Sequence, residues 1–332
     1  MSKELNILFQ SSDYYAPFAG VMLTSLFENN KDMDQIVAYL MTSDMSEKNR
    51  SRFQALAEQY QRQIKLVDTK KIDDFLEGNQ APKYNGAYTT YYKIFALSVI
   101  EDELDRLIYL DSDMVVTGSL SGLLTWDLGE NALGMCIDAV PATYKKIIQC
   151  DSKVYYNAGM IVFDVKKWKE SNGTNKIIDH MTKVQAAYPL VDQDFLNIVF
   201  SNQITTIPQK YNVNSGILIY KNHELWLKSY GIKNYYSKEE FIQSQQNPVI
   251  LHCMGTFGMR PWCVGEHPVR EIWSRYMSIS PWNDFVLIKS KVSVINKVQF
   301  FLFRFFPKRL FAFMNQKCFF MSWARKARQL GL

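Results

Sequence analysis

Asp111 and Asp113 stand one residue apart in "RLIYLDSDMVV", where an otherwise apolar run ends. In an extended chain the side chains at i and i+2 share a face, so this spacing predicts two carboxylates side by side. Such a pair repels itself unless positive charge sits between its members. Two hard oxygen donors suit Mg²⁺ or Mn²⁺, which keep open positions for phosphate oxygens, and the matching chemistry is a divalent ion bridging the protein to a diphosphate. The bare pattern is common. A second copy occurs at Asp192-Gln193-Asp194, so position in the fold must decide.

The elements around the pair favour a site. "LNILFQ", "QIVAYLM" and "QIKLVD" read as short apolar strands, and "FAGVMLTSLFENN" and "SEKNRSRFQALAEQYQ" read as helices between them. This alternation predicts βαβ units and a parallel sheet. "TTYYKIFALSVI" reads as the next helix and "RLIYL" as a further strand, which puts Asp111 and Asp113 at its carboxyl end, where ligands of such sheets bind. "ALGMCID" reads as a strand closing on Asp138, and "YYNAGMIVFDV" as one entered through Asn157 and Gly159. A long helical stretch is expected from Lys166 to about Ala187. "VDQDFLNIVF" then forms a short helix with its acids in the first turn, favoured there by the helix dipole. Asp192 could equally be a helix cap.

A rival chemistry uses the same residues. "DSDMV" fits the D-x-D-x-[TV] loop of haloacid-dehalogenase-type phosphatases, with the first acid as nucleophile and the second as general acid. That loop sits on a first strand and is followed by a G-D-x-x-x-D motif. Here the pair lies several elements into the chain and no such motif follows.

With 332 residues, 47% hydrophobic and 21% charged, the composition is that of a folded globular protein. "MSKELNILFQ" runs directly into a strand and lacks the pattern of a signal peptide, so a cytosolic location is expected. The N-x-[ST] glycosylation patterns "NRS" at Asn49 and "NGT" at Asn172 are then chance matches. The five cysteines show no C-x-x-C spacing, which argues against a disulfide framework or a zinc knuckle. Charge is unevenly spread: after Asp284 come ten basic residues and no acidic one, which leaves the first 284 residues at a net −5 within a chain of +5.

That tail interleaves Phe and Trp with Lys and Arg, and no apolar run approaches the roughly 20 residues needed to cross a bilayer. A basic amphipathic helix lying on an anionic membrane surface through residues 285–332 is the expected role, with packing of Phe300 to Phe313 onto the domain or a second subunit as the alternative. Single-stranded nucleic acid also suits basic-aromatic sequence, but the acidic body argues against it.

Four ordered blocks, "LIYLDSDMVVTGSLSGLLTWDLG", "YYNAGMIVFDVKKW", "DQDFLNIVF" and "LHCMGTFGMRPW", together resemble glycosyltransferase family 8, the retaining galactosyl- and glucosyltransferases. The resemblance covers roughly residues 5 to 262 and extends to the basic, aromatic C-terminal segment of some bacterial members. It implies an α/β GT-A (nucleotide-diphospho-sugar transferase) fold: a mixed, mostly parallel central sheet flanked by helices over residues 1–262, then a helical extension over 263–332. It also implies transfer of galactose or glucose from a UDP-sugar to a cell-surface glycan, a lipid-linked acceptor or, less commonly, a protein-linked sugar. The enzyme would work on the inner face of the cell membrane. A catalytically silent sugar-nucleotide binding protein docked on a membrane remains the alternative from a different class.

Residue by residue, the resemblance implies Mn²⁺ (or Mg²⁺) on Asp111, Asp113 and His252, with Ser112 between the acids. Gly255 would admit the diphosphate closely. Phe9, Gln10, Ser12, Asp13 and Tyr15 in "ILFQSSDYYA" would hold the uridine, with Ser12 standing where many members have an acid. Lys93 stands where an arginine is usual near the donor, and Arg260 where a lysine is usual at the diphosphate. Asp138, Asn157, Asp192 and Gln193 would line the donor sugar, with Gln193 near the anomeric carbon.

Overall fold

The computed structural model describes residues 3–83, 86–100, 103–184, 188–289 and 292–330. Its larger sheet has seven strands in the order β3-β2-β1-β4-β7-β6-β8, and a smaller one has the order β5-β10-β9. The strands of the larger sheet are β1 (Glu4–Gln10), β2 (Gln35–Thr42), β3 (Gln63–Asp68), β4 (Arg106–Leu110), β6 (Leu133–Ile137), β7 (Tyr156–Asp164) and β8 (Ile204–Thr206); β5 (Met114–Val116), β9 (Val213–Asn214) and β10 (Ile250–His252) form the smaller. β3, β2, β1 and β4 run parallel, β7 runs antiparallel to β4 and β6, and β8 is parallel to β6. The sheet is therefore mixed and the expected α/β class holds.

Period-two alternation builds two cores, one on each face. Ile7, Ile36 and Ile108 point into the first and Leu8, Val37 and Tyr109 into the second. The helix α1 (Ala16–Asn29) is buried almost all round, as expected of a helix apolar on every side. It packs between β5 and the helix Arg270–Ile279. Gly20 is required there: a Cβ would stand 2.3 Å from the ring of Trp282.

Chain direction sets the site. β1, β2 and β3 progress one way across the sheet, and β4 then joins the opposite edge of β1. The loops after β1 and β4 diverge, opening a crevice at their carboxyl ends.

Two expectations change. "TTYYKIFALSVI" is not one helix but three short turns, Thr89–Tyr91, Tyr92–Phe95 and Ala96–Ser98, with no side-chain cap on any of them. The stretch from Lys166 divides into Val165–Glu170 and Gly173–Val184, parted at Asn172, which adopts φ 55°; Ala187, where it was expected to end, lies outside the described residues. On either side of the expected division after residue 262, Trp262, Val269, Trp273, Tyr276, Met277 and Trp282 contribute to the first core.

The tail forms two helices, Val294–Phe305 and Lys308–Gln329, separated at Pro307. Phe300, Phe303 and Phe311 pack on Phe257, and the latter two also on Tyr220. Ile295, Phe301, Phe305 and Phe313 remain more than half exposed. Among the described residues no helix is long and apolar enough to cross a membrane.

Candidate active site

Asp111 immediately follows β4 and Asp113 immediately precedes β5, so the two acids span the step from the larger sheet to the smaller one. The segment between them is a turn rather than the extended chain expected from i, i+2 spacing. The smaller sheet supplies the histidine. β10 runs antiparallel to β5 with His252 opposite Met114, and the Cys253 amide donates to the Asp113 carbonyl at 2.9 Å. His252 Nε2 then lies 3.1 Å from Asp113 Oδ1 and 3.7 Å from Asp111 Oδ2.

One ligand atom from each of Asp111, Asp113 and His252 falls within 4.8 Å of the others. Two carboxylate oxygens and an imidazole nitrogen form a donor set that suits Mn²⁺. Two further observations fit a cation. His252 Nδ1 lies 3.0 Å from Asn212 Oδ1, and Asn212 Nδ2 donates to Asn157 Oδ1 at 2.8 Å. This orients the Asn212 oxygen as acceptor for the imidazole Nδ1–H, so that Nε2 is the nitrogen that would face a cation held by the acids. Gly159 lies beneath the trio, where a Cβ would stand 2.5 Å from His252 Cε1 and 2.9 Å from Asp111 Oδ2.

Two cations flank the acids. Lys93, 5% exposed, bridges Asp111 at 3.3 Å and Asp192 at 2.9 Å, with its ammonium over the Tyr109 ring. Burial favours the neutral amine, yet Asp111 and Asp192 outweigh it and raise the Lys93 pKa. Arg260 reaches Asp113 at 2.9 Å. Phe257 and Gly258, at φ 54° and 72°, make a tight turn shortly before Arg260. Burial alone would raise the Asp113 pKa, but His252 and Arg260 hold it well below the usual carboxylate range. The His252 pKa is raised, because Asp113 and Asp111 overcome its burial.

A second polar cluster adjoins the first. Asp138 Oδ2 accepts from Asn157 Nδ2 and from Gln193 Nε2, both at 3.0 Å, while Gln193 Oε1 accepts from the Ala158 amide. Asp192 accepts from Thr90 Oγ1 at 2.9 Å. Burial raises its pKa, with Lys93 opposing. Asp192 and Gln193 open the helix Asp192–Val199, whose preceding residue, Val191, holds φ 49°. A β-branched side chain is strained there, and the strain marks where backbone geometry is bent to place the two side chains. Asp194 faces away and accepts from the hydroxyls of Tyr144 and Tyr155 and from the Leu190 amide, a structural role.

The expected uridine contacts separate. A pocket of about 340 Å³ is lined by Gln10, Ser12, Tyr15, Thr89, Asp111 and Asp113, among others. Gln10 Oε1 is buried there without a hydrogen-bond partner, and Ser112 Oγ donates to the Gln10 carbonyl. Phe9 instead points into the first core against Phe53. Asp13 turns to the start of the helix α2 (Glu47–Tyr60), accepting from Ser46 N, Ser46 Oγ and Asn49 Nδ2 at 2.9, 2.6 and 2.7 Å. Those bonds lower its pKa. Gly255 lies against Arg260, whose Nε would be 3.1 Å from an added Cβ.

The model of "Glycosyl transferase family 8" matches residues 6–264. The chain belongs to this family. General stress protein A of Bacillus subtilis is 26% identical over 286 residues, covering 84% of this chain and 95% of that one. The lipopolysaccharide 1,3-galactosyltransferase of Salmonella typhimurium is 24% identical over 326 residues, covering 95% and 87%. Among solved structures, the galactosyltransferase LgtC in complex with donor and acceptor sugar analogs matches with a TM-score of 0.65 at 23% identity, covering 83% of this chain and 96% of that one. The fold of the family 8 chain is thus GT-A, and the protein is a glycosyltransferase.

Sequence reading missed Thr90, Tyr109 and Asn212. Tyr109, which donates to Asp111 Oδ1 at 2.6 Å, was accessible through alternation, being two residues before it on the same face. Asn212 carries no local signal, because its role exists only once β9 and β10 pair with His252 opposite Asn214.

Proposed function

We propose that this chain is a metal-dependent retaining hexosyltransferase that moves galactose or glucose from a UDP-sugar to a cell-surface or lipid-linked saccharide. The observation that carries this reading is the Asp111, Asp113 and His252 trio flanked by Lys93 and Arg260. Asp111, Asp113 and His252 would hold Mn²⁺ or Mg²⁺, which when bound supplies positive charge to the diphosphate as the sugar–phosphate bond weakens.

The chain's own residues do the rest. Arg260 adds a cation beside the diphosphate, and Lys93 fixes Asp111 and Asp192 in one geometry. The unpartnered Gln10 oxygen offers an acceptor for an N–H of the base, with Ser12 and Tyr15 beside it. Asp138, Asn157 and Gln193, locked to one another, would line the hexose. The bond from the anomeric carbon to the diphosphate breaks, the acceptor oxygen bonds to that carbon on the same face, and the acceptor proton passes to the departing diphosphate oxygen. Gln193 is too weak a nucleophile to favour a covalent intermediate.

UDP release by the purified chain with Mn²⁺ across a panel of UDP-, GDP- and CMP-sugars tests this. Slow turnover of one UDP-hexose is expected. Absence of both turnover and calorimetric UDP binding would remove the reading and leave a silent scaffold.

The tail's outward face supports peripheral attachment to an anionic membrane, on the cytoplasmic side. Ile295 is 78% and Phe305 67% exposed, among lysines and arginines without acids in their own segment. Sedimentation with phosphatidylglycerol-containing vesicles should fall on replacing Ile295 and Phe305 by serine. Equal sedimentation refutes the attachment.

A further inference from the structure

A second pocket, of about 210 Å³, opens from the polar cluster rather than from the nucleotide side. Asp138 and Gly255 belong to its lining, so it is continuous with the groups that would hold the donor sugar. Asn214 adds a second polar group, and Trp226, Tyr230, Phe319 and Trp323 supply aromatic surface. Two of these four, Phe319 and Trp323, come from the last helix of the tail, 180 residues and more after Asp138.

That helix is seated firmly enough to act as a wall. Phe311, Ala312, Asn315 and Ala327 are buried along its inner side. Asn315 Nδ2 donates to the Ser229 carbonyl at 2.9 Å and Lys326 Nζ to the Pro189 carbonyl at 2.6 Å. The Trp323 ring lies 5.0 Å from that of Tyr144, which donates to Asp194 at 2.6 Å just behind Asp192 and Gln193. The Phe319 ring meets Tyr230 edge-on at 5.1 Å and Trp323 at 5.7 Å. Both aromatics line the pocket, and each is partly exposed.

A pyranose has an apolar C–H face and a rim of hydroxyls. A pocket with aromatic walls at one side and a carboxylate and an amide at the other complements both. We propose that the C-terminal helix is one wall of the acceptor subsite, with Trp323 and Phe319 stacking on the acceptor pyranose and Asp138 at the end where its reacting hydroxyl enters. This rests on the transfer reading above. It gives the tail an inner face that recognises saccharide, on the same helix whose outer residues Leu310, Phe313 and Met321 are exposed.

The test is calorimetric titration of the full chain, with UDP and Mn²⁺ present, using methyl α- and β-glycosides of galactose and glucose. UDP itself is titrated into the same samples. The wild-type chain should bind at least one glycoside. Trp323→Ala should weaken that binding about fivefold or more and Phe319→Ala about threefold, the size of an aromatic stacking contact. Trp323→Phe should recover most of the loss, and UDP affinity should stay within about twofold throughout. Unchanged glycoside affinity in both alanine variants overturns the proposal, as does a wild-type chain that binds UDP and none of the glycosides. If Trp323→Ala also loses UDP, the helix has lost its seat. Phe319→Leu then decides in its place, supporting the wall by a selective loss of glycoside binding and overturning it by none. Glycoside binding without UDP binding would end the transfer reading and, with it, the assignment of this pocket as an acceptor subsite.

Discussion

Around Lys93, three carboxylates of the site meet a cation or imidazole within 4 Å: Asp111 and Asp192 share the lysine, and Asp113 pairs with both His252 and Arg260. From Phe285 onward ten bases occur with no acid in the segment, and the apolar side chains between them divide into an inner and an outer set. The two regions differ in what the fold supplies. Charges removed from water need partners placed by the protein itself, or burial shifts and neutralises them. Charges left in water need none, and stay available to an anion outside the chain. The first region is preorganised by its own partners; the second is the one to which attachment and enclosure are proposed above.

The largest effect is expected from breaking the preorganised side. Asp113→Asn removes a proposed metal ligand and leaves His252 and Arg260 facing a neutral amide, and transfer should fall about a thousandfold. UDP release at saturating Mn²⁺ measures this, and near-normal turnover would contradict the metal assignment.

Phe311→Ala tests whether the tail's inner set belongs to the body. Phe311 is 2% exposed among Phe257, Phe303 and Tyr220, and its truncation should cost about 3–5 kcal/mol in denaturant unfolding. Phe313→Ala, on the outer side and 54% exposed, should change stability by no more than about 0.5 kcal/mol. Equal effects would erase the distinction between the two faces.

His267 lies in the segment joining the two regions. Burial, with Arg260 and Arg270 nearby, lowers its pKa to about 4. A histidine depressed in the folded state contributes stability above its unfolded pKa and loses it as pH falls toward the folded value. Between pH 6.5 and 4 the chain should lose about 3 kcal/mol through this group. His267→Gln should flatten that part of the stability profile, and parallel profiles for variant and wild type would refute the assignment.

Asn212→Ala is the smallest and most selective change. It removes the acceptor on His252 Nδ1 without touching a ligand, and Mn²⁺ affinity should drop about 10- to 100-fold. Unchanged affinity in a Mn²⁺ titration would show that the histidine needs no such support.

Much of the parallel half was legible in advance. The near-continuous apolar runs of β1, β2 and β4 announce strands buried on both faces, and the arrest of "RLIYL" at Asp111 marks its carboxyl end. The site was legible where it is local, as with Asp111, Asp113 and the acids of the helix Asp192–Val199. It was misread where a side chain had a competing partner. Asp13 follows β1 as a nucleotide contact should, but three donors at the start of α2 claim its carboxylate. Phe9 alternates onto the core side of β1, so only its neighbour Gln10 faces the pocket.

By itself the sequence determined the two carboxylates at a strand's end, the strand-and-helix order around them and the acid-free tail, because periodicity and composition are local properties. Tertiary structure alone decided that His252 stands opposite Met114, that Asn212 Oδ1 meets its Nδ1, and that Trp323 turns inward while Phe313 turns out. Each of these follows from pairing or packing between segments far apart in the chain, and no window of neighbouring residues carries that energy.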